Sequence, residues 1–85
     1  MPEHGHERGD LAFLGQAVRQ MREQLNMSAE GLAEASGTTP RRVAALEAGS
    51  LDPTYALLVA LADGLRTHPS SIVALAEQLR KPSGP

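Results

Sequence analysis

Two adjacent arginines, Arg41 and Arg42, are the residues best suited to bind a ligand at the protein surface. A guanidinium group can donate two parallel hydrogen bonds to a guanine edge, and it also pairs with phosphate. At about 100° per residue, Arg41 shares its side of a predicted helix with Ala45 and Ala48, and Arg42 lies on the flank. The opposite side, predicted to face inward, consists of Pro40, Val43, Leu46 and Glu47. Such a slim, partly basic helix can enter the major groove of DNA, but a plain core helix with a solvated charged face fits the pattern equally well.

Catalytic and metal-binding patterns are missing from the sequence. The chain has no cysteine and three histidines, and no serine stands beside a histidine and an acid at a recognisable spacing. His4 and His6 supply too few ligands for a metal site, and His68 is predicted to be structural. No glycine-rich phosphate loop follows a strand, because no strand is predicted. We therefore predict no catalytic residue, no cofactor and no metal, and hence no enzyme.

The arginines belong to the second of two short predicted helices within residues 28–49. Ser28 is suited to cap the first of these helices and Gly37 to end it, because glycine adopts a positive φ without steric cost. Thr39 is suited to cap the second helix. Pro40 fits the first helical position, where no N–H is needed. The spacing therefore predicts a tight pair of helices whose second member is residues 40–48.

Apolar stripes predict three further helices around this pair. The first is expected to begin at the N-cap Asp10 and to end at Asn26, and the fourth to begin at Thr54 or Asp52. The fifth is expected to begin at Pro69. The three stripes are Leu11, Leu14, Ala17, Val18, Met21 and Leu25, then Leu57, Leu58, Leu61, Ala62 and Leu65, and last Ile72, Val73, Leu75, Ala76 and Leu79.

These elements predict one all-α domain of five helices. We expect the domain at residues 10–80, a disordered arm at 1–9 and a flexible tail at 81–85. Tyr55 and Phe13 are predicted to pack rather than to stack on bases, since single-strand binders need several aromatic side chains. The apolar side of the fifth helix is broader than the last helix of a small monomer needs. It therefore predicts a homodimer through this C-terminal helix.

The order and spacing of several short motifs resemble the phage repressor and Cro family, also called the Xre or xenobiotic-response-element type. These motifs, which lie between Leu11 and Leu79, are Leu32-Ala33, Gly37-Thr38-Thr39, Val43, Leu46-Glu47-x-Gly49, Pro53 and the leucine and alanine run at 57–65. The resemblance implies a lambda-repressor-like fold with a helix-turn-helix. It also implies an ion pair between Arg22 and Glu47. Asn26 and Arg66 depart from the family, which usually has glycine at these two positions.

The resemblance further implies double-stranded DNA as the partner, read as a palindromic operator by a regulator of transcription, most naturally a repressor. The family's base-reading positions correspond to Ala29, Pro40, Arg41 and Ala45. Its backbone-contacting positions correspond to Thr38, Arg42, Ala48 and Ser50, and Thr39 is also expected to bind DNA. Ala29, Pro40 and Ala45 stand where polar side chains are common in the family. We therefore expect fewer hydrogen bonds to bases than in a typical member.

The charge of the chain favours a second interpretation. Eight Lys and Arg against ten Asp and Glu give a net charge of −2, whereas DNA-binding proteins usually carry a basic excess. An antitoxin-like or accessory protein-interaction module with the same fold is therefore the alternative.

No apolar run is long enough to span a bilayer, and the absence of cysteine fits a reducing compartment. We expect a cytoplasmic protein with no membrane partner.

Overall fold

The computed structural model describes the backbone of residues 3–81 and the side chains of residues 10–81. Within this range the chain forms five helices and no strand, which confirms the predicted all-α class. The helices are α1 (Glu3–Gln24), α2 (Ala29–Ser36), α3 (Pro40–Glu47), α4 (Tyr55–Gly64) and α5 (Pro69–Arg80). Residues 1–2 of the expected arm and 82–85 of the expected tail lie outside the described residues.

α1 begins earlier than the sequence predicts. It starts at Glu3, so the predicted N-cap at Asp10 is wrong, and residues 3–9 of the expected arm continue the helix. Apolar periodicity, which is missing from residues 3–9, reports the burial of a helix rather than its existence. Once a helix has nucleated, each further residue adds a hydrogen bond without a new nucleation cost. The division into a domain at 10–80 and two flanking segments stays a prediction.

Side chains at the helix N-termini form the predicted caps. Ser28 Oγ accepts a hydrogen bond from the Gly31 N–H at 2.9 Å, and Thr39 Oγ1 accepts one from the Arg42 N–H at 3.2 Å. At the start of α4, Thr54 rather than Asp52 is the cap, with 3.1 Å between Thr54 Oγ1 and the amide nitrogen of Leu57. Each cap satisfies one N–H that has no partner inside its helix.

Two helices end in left-handed residues that are not glycine. Asn26, after α1, has φ 55°, and Arg66, after α4, has φ 59°. Asparagine tolerates this conformation, but the Cβ of arginine crowds the backbone there. The backbone is therefore strained at Arg66, whereas Asn26 adopts the same conformation at little cost.

All five helices contribute to one hydrophobic core. α1 packs against α5 and α3, α2 packs against α4 and α3, and α4 also contacts α5. The buried residues are Ala17, Val18, Leu32, Ala33, Val43, Leu46, Leu61, Ala62, Leu65 and Ile72. No helix within residues 3–81 is long and apolar enough to cross a membrane.

Two apolar residues predicted to pack are largely exposed. Tyr55 is 75% exposed and Leu25 is 47% exposed, so the packing predicted for both is wrong, whereas Phe13 is half-buried. Tyr55 is the first residue of α4, and Leu25 follows the last residue of α1. A residue at a helix end lies beyond the area that neighbouring helices cover, so its apolar character does not ensure its burial.

Candidate nucleic-acid interface

α2, a tight turn and α3 present one end of α3 to solvent. The chain leaves α2 at Gly37, which has φ 71°, and the Thr38 N–H donates to the Ala33 carbonyl at 2.9 Å. Thr39 then caps α3, and Pro40 occupies the first turn, where its fixed φ suits a helix. Val43 and Leu46 are buried against the other helices. This local chemistry fixes α3 to the domain by one side and leaves its N-terminal end open.

Arg41 and Arg42 are both exposed at that open end. The backbone N–H of Arg42 is used by the Thr39 cap, while its side chain points away from the core. Guanidinium groups at the exposed start of a helix can reach base edges or phosphates when the helix enters a groove. Two positive charges therefore stand at the exposed N-terminal end of α3.

Glu47, the acidic residue of α3, is turned inward and bound by α1. Arg22 Nε donates to Glu47 Oε2 at 2.7 Å, and Arg22 Nη2 donates to Glu47 Oε1 at 3.0 Å. Arg22 Nη1 also donates to the Met27 carbonyl at 2.8 Å. The pair predicted from the family resemblance is thus present in its two-pronged form, the stronger arrangement of these groups.

Burial makes this ion pair structural and removes its negative charge from the surface. The two side chains are only 13% and 10% exposed for Arg22 and Glu47, respectively. The hydrogen bond to Glu47 raises the pKa of Arg22, and this effect exceeds the lowering by partial burial. Arg22 therefore stays charged, and the outer side of α3 keeps the two positive charges of Arg41 and Arg42.

Several other predicted contact residues lie around α3. Ala29 opens α2 and is half-buried, Ala45 is half-buried, and Ala48 is exposed just after α3. Ser50 is exposed, and its hydroxyl donates to the Ala45 carbonyl at 3.0 Å. Pro40 is exposed, which corrects the prediction that it faces inward. Its neighbours Arg41 and Arg42 are exposed too, so the angular position of Pro40 on the helix did not decide its burial.

The burial of Thr38 differs from what the sequence predicted for a residue that contacts DNA. The Thr38 hydroxyl is buried and has no hydrogen-bond partner within the described part of the chain, and its N–H is already bonded to Ala33. A phosphate contact from Thr38 is therefore not supported by its geometry.

Ala44 is exposed on α3, although the sequence interpretation left it out. Its position at about 100° from Val43 on the helical wheel would have identified it.

Acidic residues on α1 and α5 are partly neutralised by neighbouring arginines. Arg19 pairs with Glu23 at 3.1 Å, and Arg80 pairs with Glu77 at 2.8 Å. Arg80 also lies 3.9 Å from Asp10. These pairs belong to elements other than α3, so the net charge of −2 does not describe the field at Arg41 and Arg42.

The described side chains contain no candidate metal centre. No group of three or more His, Asp or Glu residues within residues 10–81 is arranged to hold a metal ion. The side chains of His4 and His6 lie outside the described residues. His68 stands at the N-cap position of α5 but makes no side-chain capping bond.

The paired helices α2 and α3, with a capped and exposed second member, define a helix-turn-helix domain. Residues 18–72 match the model of the family described as Helix-turn-helix. The chain belongs to this family of DNA-binding transcriptional regulators, in its Xre-like form, as the motifs predicted. Regulators of this family are in general not enzymes.

Solved structures with the same fold support this assignment. The restriction-modification controller protein C.AhdI from Aeromonas hydrophila is 30% identical with a TM-score of 0.74, over 75% of this chain and 97% of that chain. The clp gene regulator ClgR from C. glutamicum is 25% identical with a TM-score of 0.80, over 85% of this chain and 94% of that chain. An HTH_3 family transcriptional regulator from Vibrio cholerae shares the fold at 23% identity and a TM-score of 0.78, with 41% of its length covered. No curated protein matches the sequence significantly.

Proposed function

We propose that this domain reads a palindromic DNA operator by inserting α3 into the major groove and represses transcription by occupying that site. The observation that carries the proposal is the charge distribution on α3. Its acidic residue is held inward by Arg22 at 2.7 Å, and its two arginines are exposed at the N-terminal end. That end is the part of a recognition helix that contacts base edges.

The contact residues divide into base readers and backbone anchors. Arg41 is the reader, because its guanidinium group can bind O6 and N7 of one guanine. Pro40 and Ala45 offer only apolar contact, for instance with a thymine methyl group. We assign Arg42 of α3, and Thr39, Ala48 and Ser50 at the two ends of this helix, to the phosphate backbone. The N-terminus of α2 at Ala29 offers backbone N–H groups to a further phosphate.

A second copy of the chain is the proposed protein partner. Val73 of α5 is 43% exposed and, together with Tyr55 and Leu58 of α4, lines an apolar groove that continues over Pro69 and Ala74. Residues 55–62 of α4 include no charged side chain. A helix that is apolar on most sides is usually covered by other protein surface. We assign the groove to a homodimer, which matches the symmetry of a palindromic operator.

A regulator of this kind works in the compartment that holds the DNA, which for this chain we propose is the cytoplasm. Its action requires binding alone, so the proposal includes neither a catalytic step nor a cofactor.

Selection of binding sites from a random pool of duplex DNA tests the proposal. We expect the purified protein to enrich a palindrome with a guanine in each half-site. Its affinity for that palindrome should fall steeply with salt, since bound phosphates release counterions. A protein that enriches no motif at low salt would contradict the proposal and favour the protein-interaction module. Co-purification of one stoichiometric partner from the native host would then be the next measurement.

A further inference from the structure

α1 lies against the C-terminal end of α3 with almost no side chain between the two backbones. A Cβ atom at Gly15 would overlap the carbonyl oxygen of Leu46 and would lie 2.6 Å from that of Glu47. One turn earlier in α1, the Cα of Ala12 would be 2.9 Å from a Cβ atom at Gly49. Both contacts join backbone to backbone, so rotation of a side chain cannot relieve added bulk.

Arg22 attaches α1 to the same end of α3. It follows Gly15 by seven residues, which is about two helical turns and keeps both residues on one side of α1. Its hydrogen bonds of 2.7 Å and 3.0 Å hold the carboxylate of Glu47, whose carbonyl oxygen faces Gly15. These attachments all lie at the C-terminal end of α3, while Arg41 at the other end is exposed.

We propose that Gly15 is a positioning residue for DNA recognition. Its missing side chain sets how far α3 stands out from the domain, and therefore where Arg41 meets the base edges. This inference rests on the proposed function, in which α3 enters the major groove. Gly15 itself is buried, so it would act on DNA binding through α3.

Even a methyl group at position 15 would displace α3. The distance from the new Cβ to the Glu47 carbonyl oxygen must grow from 2.6 Å to at least 3.4 Å, where ordinary contact begins. Hydrogen bonds from nitrogen to oxygen span about 2.7–3.2 Å, so a shift of this size takes a base contact out of range. The two-pronged contact of Arg41 with a guanine fixes both distance and orientation, whereas phosphate contacts are made equally on every sequence. Specific binding should therefore weaken more than non-specific binding.

Gly15→Ala is the test, with Gln16→Ala as the control on the same helix. Gln16 is the exposed neighbour of Gly15 on α1, so its change to alanine alters the same helix without adding bulk against α3. Fluorescence anisotropy would measure binding to the palindrome selected by the wild type and to a scrambled duplex of equal length. Circular dichroism would verify that each variant is folded.

For Gly15→Ala we expect affinity for the palindrome to fall roughly 5- to 150-fold per half-site, the loss of one two-pronged base contact. Affinity for the scrambled duplex should stay nearly unchanged. Gln16→Ala should keep both affinities. A folded Gly15→Ala protein with the wild-type ratio of the two affinities would overturn the inference while the proposed function stands. A wild type that does not distinguish the two duplexes would overturn both.

Ala12→Gly decides the matter if Gly15→Ala does not fold. A Cβ atom built at Gly49 would lie 3.5 Å from the methyl group of Ala12, so this methyl group faces a residue just after α3, and removing it creates no overlap. We expect a folded protein with a reduced preference for the palindrome, because a smaller side chain at position 12 lets the spacing between α1 and the C-terminal end of α3 change. An unchanged preference would contradict a positioning role for this contact.

Discussion

Arg41 and Arg42 are neighbours with the same side chain, yet we expect different effects when each is removed. Arg41→Ala should cost about 1–3 kcal/mol per half-site and relax the preference for one guanine, because it removes the proposed base reader. Arg42→Ala should weaken binding to all sequences and lower the salt slope by about 1 per subunit, as expected for a phosphate contact. Site selection and salt titration with both variants would measure this difference.

Arg19→Ala is the control for charge, because Arg19 is exposed on α1 and already paired with Glu23. It should change neither the selected motif nor the salt slope. An Arg41→Ala protein that selects the wild-type motif would reject Arg41 as the reader.

The Arg22–Glu47 pair should contribute to stability as a unit. Each single change to alanine leaves a largely buried charge without its partner, so we expect a loss of about 1–4 kcal/mol in the free energy of unfolding. The double variant should lose less than the sum of the two single losses. Urea denaturation of all four proteins gives the coupling energy, and a value near zero would show that the pair adds nothing.

At the scale of the helices, the left-handed ends predict where the fold can be stabilised. Arg66→Gly should raise the free energy of unfolding by about 0.5–1 kcal/mol, because it removes the crowding of Cβ at φ 59°. Asn26→Gly is the matched control at φ 55°, and its gain should be smaller because asparagine tolerates this conformation. Thermal melts at one protein concentration would rank the two, and a larger gain from Asn26→Gly would contradict the explanation.

Helix caps were predictable because they depend on residues only a few positions apart. Ser28, Thr39 and Thr54 each bond an N–H three residues ahead, and such a bond can be read from residue type and spacing. The start of α1 was not predictable in this way. The segment before Asp10 lacks apolar periodicity, so its sequence gives no signal for the helix that extends to Glu3.

For the whole molecule, the apolar groove of α4 and α5 predicts how dimerisation can be broken. Val73→Glu should weaken the proposed dimer at least about tenfold, because a carboxylate would be buried without a partner. Binding to the full palindrome should weaken with it, while affinity for an isolated half-site should persist. Sedimentation equilibrium and anisotropy would measure the two effects.

Gln78→Glu adds the same charge at an exposed position of α5 outside the residues that line the groove. It should leave the dimer intact. Equal effects of the two substitutions would indicate non-specific repulsion and would contradict the assignment of the groove.

The sequence by itself determined the class of fold, the paired helices and the exposed arginines of α3, because local hydrogen bonds and apolar periodicity are set by neighbouring residues. The family's spacing also identified Arg22 and Glu47 across 25 positions. Only the tertiary structure decided that Tyr55 is exposed, that the Thr38 hydroxyl is buried and that Gly15 touches the backbone of α3. Burial and close contact depend on which distant elements come to cover a residue, and no local pattern in the chain encodes that.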